Sequence, residues 1–164
     1  MILDLKSIFV NEGSCLTVNF NLDLSDMVFS GVHAIQKPVK VEGFVSNRAG
    51  IVSVNVVCLV VFDAPCDRCG KQTAVEHNVH IDRVLVTKLE SEPDDEIIEI
   101  PDMRLDMDEL CTTEVVLAIP MKHLCKPDCK GICPTCGKDL NKGSCDCVQN
   151  TVDPRLEALR QLLD

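Results

Sequence analysis

Eight cysteines carry most of the chemistry in this sequence, and they fall into two groups. The first is Cys66-Asp67-Arg68-Cys69-Gly70. The second is Cys125-Lys126-Pro127-Asp128-Cys129-Lys130-Gly131-Ile132-Cys133-Pro134-Thr135-Cys136-Gly137, continued by Cys145-Asp146-Cys147. Clustered thiolates suit Zn²⁺, which takes four tetrahedral sulfur or imidazole ligands with sulfur at about 2.3 Å. A C-x-x-C turn offers two sulfurs from one side, and a following glycine relieves crowding where the chain turns again. Residues 66–70 and 133–137 both have that form. One tetrad is therefore expected from Cys133, Cys136, Cys145 and Cys147. Its weak point is the last pair, because residues i and i+2 of a regular strand face opposite ways; residues 143–147 must be turned. Tetrads that draw on Cys125 and Cys129 are the alternative, and spacing does not rank them. A second ion, completed by Cys66 and Cys69, is the furthest extension of the pattern.

Such a metal reads as structural. A catalytic zinc keeps an open position for water and usually draws on His or carboxylate ligands. Here thiolates are in surplus and His is scarce. His123 is a substitute ligand on paper, but its setting beside Pro120 and Leu124 favours packing. His77 and His80, three apart on an expected strand, face opposite ways and do not pair. Residues 121–151 are rich in Lys, Asp, Gly and Pro, with little apolar reason to be compact. Structural zinc contributes about 10–16 kcal/mol in small zinc-binding peptides, enough to order such a segment. Cys15, Cys58 and Cys111 sit in apolar patterns and are expected in the core. No nucleophile elbow, Gly-rich phosphate loop or His–carboxylate cluster is present, so neither an enzyme nor a small-molecule substrate is expected.

Composition narrows the class further. The 164 residues are 46% apolar and 26% charged, a globular balance. Trp and Tyr are absent, which argues against a stacking platform for single-stranded nucleic acid. The net charge is −10, of which residues 90–109 hold −9, leaving about −1 for the rest. That acidic run reads as a solvated loop and helix start. The N-terminus lacks a basic segment followed by an apolar one, and the longest apolar stretch, residues 56–62, is too short to span a bilayer. The expectation is a cytoplasmic chain with reduced thiols and no membrane partner.

The elements that must position these cysteines are mostly strands. Val39 to Val45 leads to a polar turn at Asn47-Arg48-Ala49-Gly50, and Ile51 to Val56 alternates apolar and polar residues. Val57 to Phe62 is apolar on both faces, as in a central strand. A cysteine-bearing turn at 63–71 precedes a β-branched run from Thr73 to Leu89. At least three antiparallel strands follow, with further strands expected over Ile2 to Val10 and Leu16 to Leu24. Asp106 and Glu109 form a capping-box pattern for a helix that Pro120 stops, with Met107, Leu110, Cys111, Val115 and Ala118 on one stripe. Asp153-Pro154 predicts a short terminal helix. The fold class is α+β: an antiparallel β-rich body with few helices and a C-terminal zinc-binding module. The expected divisions are a body at 1–120, a cysteine module at 121–151 and a terminal helix at 152–164.

Three features together resemble one bacterial family, the YceD or large ribosomal RNA subunit accumulation proteins. They are Cys66-Asp-Arg-Cys69 on a hairpin, the run from Cys129 through Cys133-Pro-Thr-Cys136-Gly-Lys-Asp-Leu140-Asn141 to Cys145-Asp-Cys147, and the ending Asp153-Pro154-Arg155-Leu156. The resemblance implies a cytoplasmic, non-enzymatic protein needed for normal 23S ribosomal RNA levels. Its expected partners are ribosomal RNA or a large-subunit assembly protein. Relatives that lack the later cysteines shift the shared role towards Cys66, Cys69, Asp153, Pro154 and Arg155. Arg155, Lys130 and Lys138 are candidate partner contacts. The competing reading is a thiol-redox or zinc-responsive switch acting through Cys66 and Cys69, with Arg68 lowering a thiol pKa.

Overall fold

Alternation of apolar with polar residues builds the main sheet. In β4 (Ile51–Pro65), Val52, Val54, Val56, Cys58, Val60, Phe62 and Ala64 are buried and their neighbours are not. A period of two puts all seven on one face. The computed structural model describes residues 1–29, 31–89 and 96–147. The expected terminal helix, Arg155 and residues 90–95 lie outside them.

Five strands form this sheet in the order β2 (Cys15–Leu22), β3 (Val39–Arg48), β4, β5 (Gln72–Val86) and β6 (Ile97–Glu99). The first three pairings are antiparallel, and β6 runs parallel to β5. The β3–β4 connection is a two-residue hairpin, with Arg48 opposite Ile51 and Ala49 and Gly50 both at positive φ (53° and 81°). That backbone matches the right-handed twist of the flanking strands. Asn47, 2% exposed, locks the turn: its Oδ1 accepts from the Gly50 N–H at 3.1 Å and its Nδ2 donates to the Ile8 carbonyl at 2.8 Å.

A smaller two-stranded sheet pairs β1 (Ile2–Asp4) with β7 (Arg104–Asp106). Helix α2 (Met107–Ala118) follows directly, and the Asp106 carboxylate accepts from the Asp108 and Glu109 N–H groups as its N-cap. Met107, Cys111 and Val115 are buried and Leu110 half-buried, so α2 packs most of its expected stripe against β5, β4 and β1, while Ala118 at its end is exposed. Arg83 of β5 holds Glu114 of α2 at 2.5 Å.

Some expectations are corrected. Ile2 to Val10 is not one strand: Leu5 ends β1 and starts helix α1 (Lys6–Val10), which buries Ile8. Cys58 and Cys111 are fully buried, but Cys15 is exposed, because the buried set of β2 is Val18 and Leu22 on the opposite parity. The acidic stretch contains strands β6 and β7, too short to carry a periodic signal.

Candidate metal centres

The two C-x-x-C segments fold into the same turn. The Cys66 N–H donates to the Lys71 carbonyl at 2.9 Å and the Gly70 N–H to the Cys66 carbonyl at 2.8 Å. In the second, Cys133 bonds Lys138 at 2.9 Å and Gly137 bonds Cys133 at 2.9 Å. Gly70 and Gly137 have φ of 70° and 72°, the left-handed conformation that glycine enters without steric cost. The first turn is the tip of the β4–β5 hairpin, and the second lies in the cysteine-rich segment after α2.

The eight sulfurs form two tetrads. Cys66, Cys69, Cys125 and Cys129 make one, and Cys133, Cys136, Cys145 and Cys147 the other; within each, the sulfurs lie within 4.8 Å of one another. In the first, Cys66 and Cys129 are 3.8 Å apart and Cys69 and Cys125 are 3.6 Å apart. A tetrahedron with metal–sulfur bonds of about 2.3 Å has edges of about 3.8 Å. A disulfide would need about 2.05 Å. The thiolates thus fit a tetrahedral ion that favours sulfur. This first tetrad joins the hairpin tip to the segment after α2, so we call it the bridging centre. The second is local to residues 133–147. The chain from Gly143 (φ 149°) to Cys147 is not a strand, which lets Cys145 and Cys147 turn to one side.

Backbone amides prepare the first sulfur of each turn. The Cys66 thiol is held down to about 6, chiefly by the Cys125 N–H, with the Arg68 and Cys69 N–H groups adding to it against burial. The Cys133 thiol is held down to about 6 by the Cys136 and Thr135 N–H groups. Their partners move the other way. Burial first, then hydrogen bonding to Cys129, pushes Cys125 up to about 12, and hydrogen bonding to Cys136 pushes Cys147 up to about 12.

Several neighbours brace the bridging centre. Arg68 donates through Nη1 to the Cys129 carbonyl at 2.6 Å, so its guanidinium holds the second loop, and its backbone N–H is the group that acts on Cys66. The Asp67 N–H donates to the His123 carbonyl at 2.9 Å, and the His123 N–H to Asp67 Oδ2 at 2.6 Å. His123 is 6% exposed, packs edge-on to Phe62 at 5.4 Å and places Nε2 2.9 Å from the Thr73 carbonyl. A carbonyl only accepts, so Nε2 carries the proton and His123 packs without joining either tetrad. His77 is half-buried and His80 exposed, on opposite faces of β5. Lys138 donates to the Ser144 carbonyl at 2.6 Å, while the Lys130 side chain is exposed.

Sequence reasoning missed Asn141, which donates from Nδ2 to Cys129 Sγ at 3.4 Å. No spacing rule marks an amide that reaches a sulfur 12 residues away. An apolar groove of about 410 Å³ lies beside the bridging centre, between Val28, Phe29 and Val32 on one side and the end of α2 on the other. The charged or imidazole residues that line it are Asp67, whose carboxylate accepts from the His123 backbone N–H, and His123, whose Nε2 lies against the Thr73 carbonyl.

No helix among the described residues is long and apolar enough to cross a membrane. Residues 56–163 match the family described as Large ribosomal RNA subunit accumulation protein YceD. The chain is 28% identical to the uncharacterised protein YlbN of Bacillus subtilis over 128 residues, covering 77% of this chain and 74% of that one. It is 31% identical over 74 residues to uncharacterised proteins of Mycobacterium bovis and Mycobacterium tuberculosis, covering 45% of this chain and 35% of theirs. No solved structure matches significantly. The family match begins within β4 and takes in both cysteine groups, and on it the chain belongs to the YceD family of large ribosomal RNA subunit accumulation proteins.

Proposed function

We propose that this chain is a non-enzymatic, cytoplasmic bacterial factor that supports accumulation of 23S ribosomal RNA, with one structural Zn²⁺ in each tetrad. The observation that carries the zinc reading is the all-thiolate donor set with edges of 3.6 and 3.8 Å in the bridging centre. Four sulfurs close the coordination sphere and leave no position for a reacting water. The groove beside it offers Asp67, whose carboxylate accepts from the His123 backbone N–H, and His123, whose imidazole Nε2 lies 2.9 Å from the Thr73 carbonyl, so the two side chains do not form a nucleophile–base pair. The ribosomal role rests on family membership.

The partner is ribosomal RNA or a large-subunit assembly protein. Lys122, Lys126, Lys130, Lys138 and Lys142 face Asp128, Asp139 and Asp146 in the module, and each zinc bound by four thiolates adds −2. The lysine excess of two is therefore more than cancelled by the two centres, and contact runs through individual side chains such as Lys130 and not through a broad basic field. The rival, a thiol switch at Cys66 and Cys69, needs a sulfur pair poised to bond. Instead each of these sulfurs lies against a cysteine of the second loop at a tetrahedral edge length.

Depletion of the protein in growing cells, with 23S and 16S RNA quantified together, tests this reading. A selective fall in 23S RNA is expected, with the protein co-migrating with immature large-subunit particles on a sucrose gradient. Unchanged 23S RNA would overturn it.

A further inference from the structure

The two tetrads are not independent. Only Lys130, Gly131 and Ile132 separate Cys129 of the bridging centre from Cys133 of the second. A short antiparallel bridge, Ile132 with Asp139, lies between them, and the Leu140 N–H donates to the Gly131 carbonyl at 2.9 Å. Residues 139–141 therefore belong to the loop that the second centre closes, between Cys136 and Cys145. From that loop Asn141 reaches back. Its Nδ2 donates to Cys129 Sγ at 3.4 Å, and its Oδ1 accepts from the Lys130 N–H at 3.0 Å. Asp139 fixes Asn141 in turn, accepting from its backbone N–H and from Nδ2, each at 2.9 Å. A hydrogen bond from a fixed amide orients a coordinating sulfur and holds it in place for a metal. An amide held by the second loop thus stabilises a ligand of the first.

We propose that Asn141 is a positioning residue which couples the two metal centres, so that an ion in one raises the affinity of the other. Loading the second centre orders residues 136–145 and with them the Asn141 amide. The bridging centre then meets a Cys129 thiolate already bonded, and it no longer supplies the free energy of ordering that loop. By linkage the effect is equal in both directions. The inference rests on the reading that both tetrads take Zn²⁺, and the test separates the two.

The full chain, stripped of metal under reducing conditions, is titrated with Zn²⁺ and followed by native mass spectrometry. For centres of equal intrinsic affinity, coupling of about tenfold leaves about a quarter of the chains singly loaded at one equivalent, whereas independent centres leave about half. Replacing Cys133 and Cys136 with Ser should weaken the bridging centre about tenfold, and replacing Cys66 and Cys69 with Ser should weaken the second by the same factor. Asn141→Ala should still bind two ions but raise the singly loaded share towards the independent value, and circular dichroism of the sheet reports folding separately. Two ions bound, with each centre keeping its parental affinity when the cysteines of the other are replaced, would overturn the coupling. An Asn141→Ala distribution identical to the parent's would overturn the role of Asn141. Failure to bind two ions at all would overturn the zinc reading itself.

Discussion

Gly131 passes so close to Arg68 that a Cβ there would sit 2.9 Å from the Arg68 carbonyl oxygen, and its φ of 76° disfavours any side chain. Gly131→Ala should therefore push the second loop away from the hairpin tip. The left-handed penalty alone is about 1–2 kcal/mol. Metal competition with a chelator should show the bridging centre weakened about tenfold, since 1.4 kcal/mol is tenfold in affinity, with sheet dichroism unchanged. Asp106 gives a pH dependence at the same scale. Its carboxyl is held below the ordinary 3.8, chiefly by the Asp108 N–H and then by the Glu109 N–H. A lowered folded value means that its contribution is complete above the unfolded pKa and is lost as pH falls through the folded one. Urea midpoints measured between pH 6 and pH 2 should fall less steeply in Asp106→Asn, which keeps a capping oxygen without the charge. An unchanged slope would contradict this assignment.

The hairpins and loops that carry these residues were legible to different degrees. Valine alternation in β4 and the capping box before α2 are local signals, and both elements sit where those signals place them. Helix α1 and strands β6 and β7 span three to five residues, too few for any period to show. The eight cysteines were visible, but their partition into tetrads depends on the approach of residue 66 to residue 129, which no local pattern encodes. At this scale Ala49 carries strain, since a hairpin turn with two positive φ values prefers Asn-Gly and a left-handed alanine costs about 1 kcal/mol. Ala49→Asn should raise the unfolding free energy by roughly that amount in a denaturant titration. Gly43 is the opposite case. A Cβ there would lie 2.1 Å from the Asn55 carbonyl oxygen and 2.5 Å from Val56 Cα. Gly43→Ala should force β3 from β4 and destabilise the sheet by about 3 kcal/mol.

At the scale of the whole molecule, two sources of order meet. The sheet and α2 bury a continuous apolar core, from Leu5 through Val54 to Val115. Residues 121–147 contribute chiefly Cys129, Cys133 and His123 to the buried set, so their order depends on the thiolate centres. Exhaustive chelation should leave the sheet's dichroism intact while making residues 121–147 sensitive to protease, and adding back Zn²⁺ should restore protection. The bridging centre decides how the module is carried, because it draws equally on the β4–β5 hairpin and on the segment after α2. Zinc K-edge X-ray absorption on the purified chain, with zinc and protein quantified in the same sample, tests this claim most directly. Two Zn²⁺ per chain are expected, each with four sulfur neighbours at about 2.3 Å. One ion per chain, or a shell that includes nitrogen or oxygen, would contradict it.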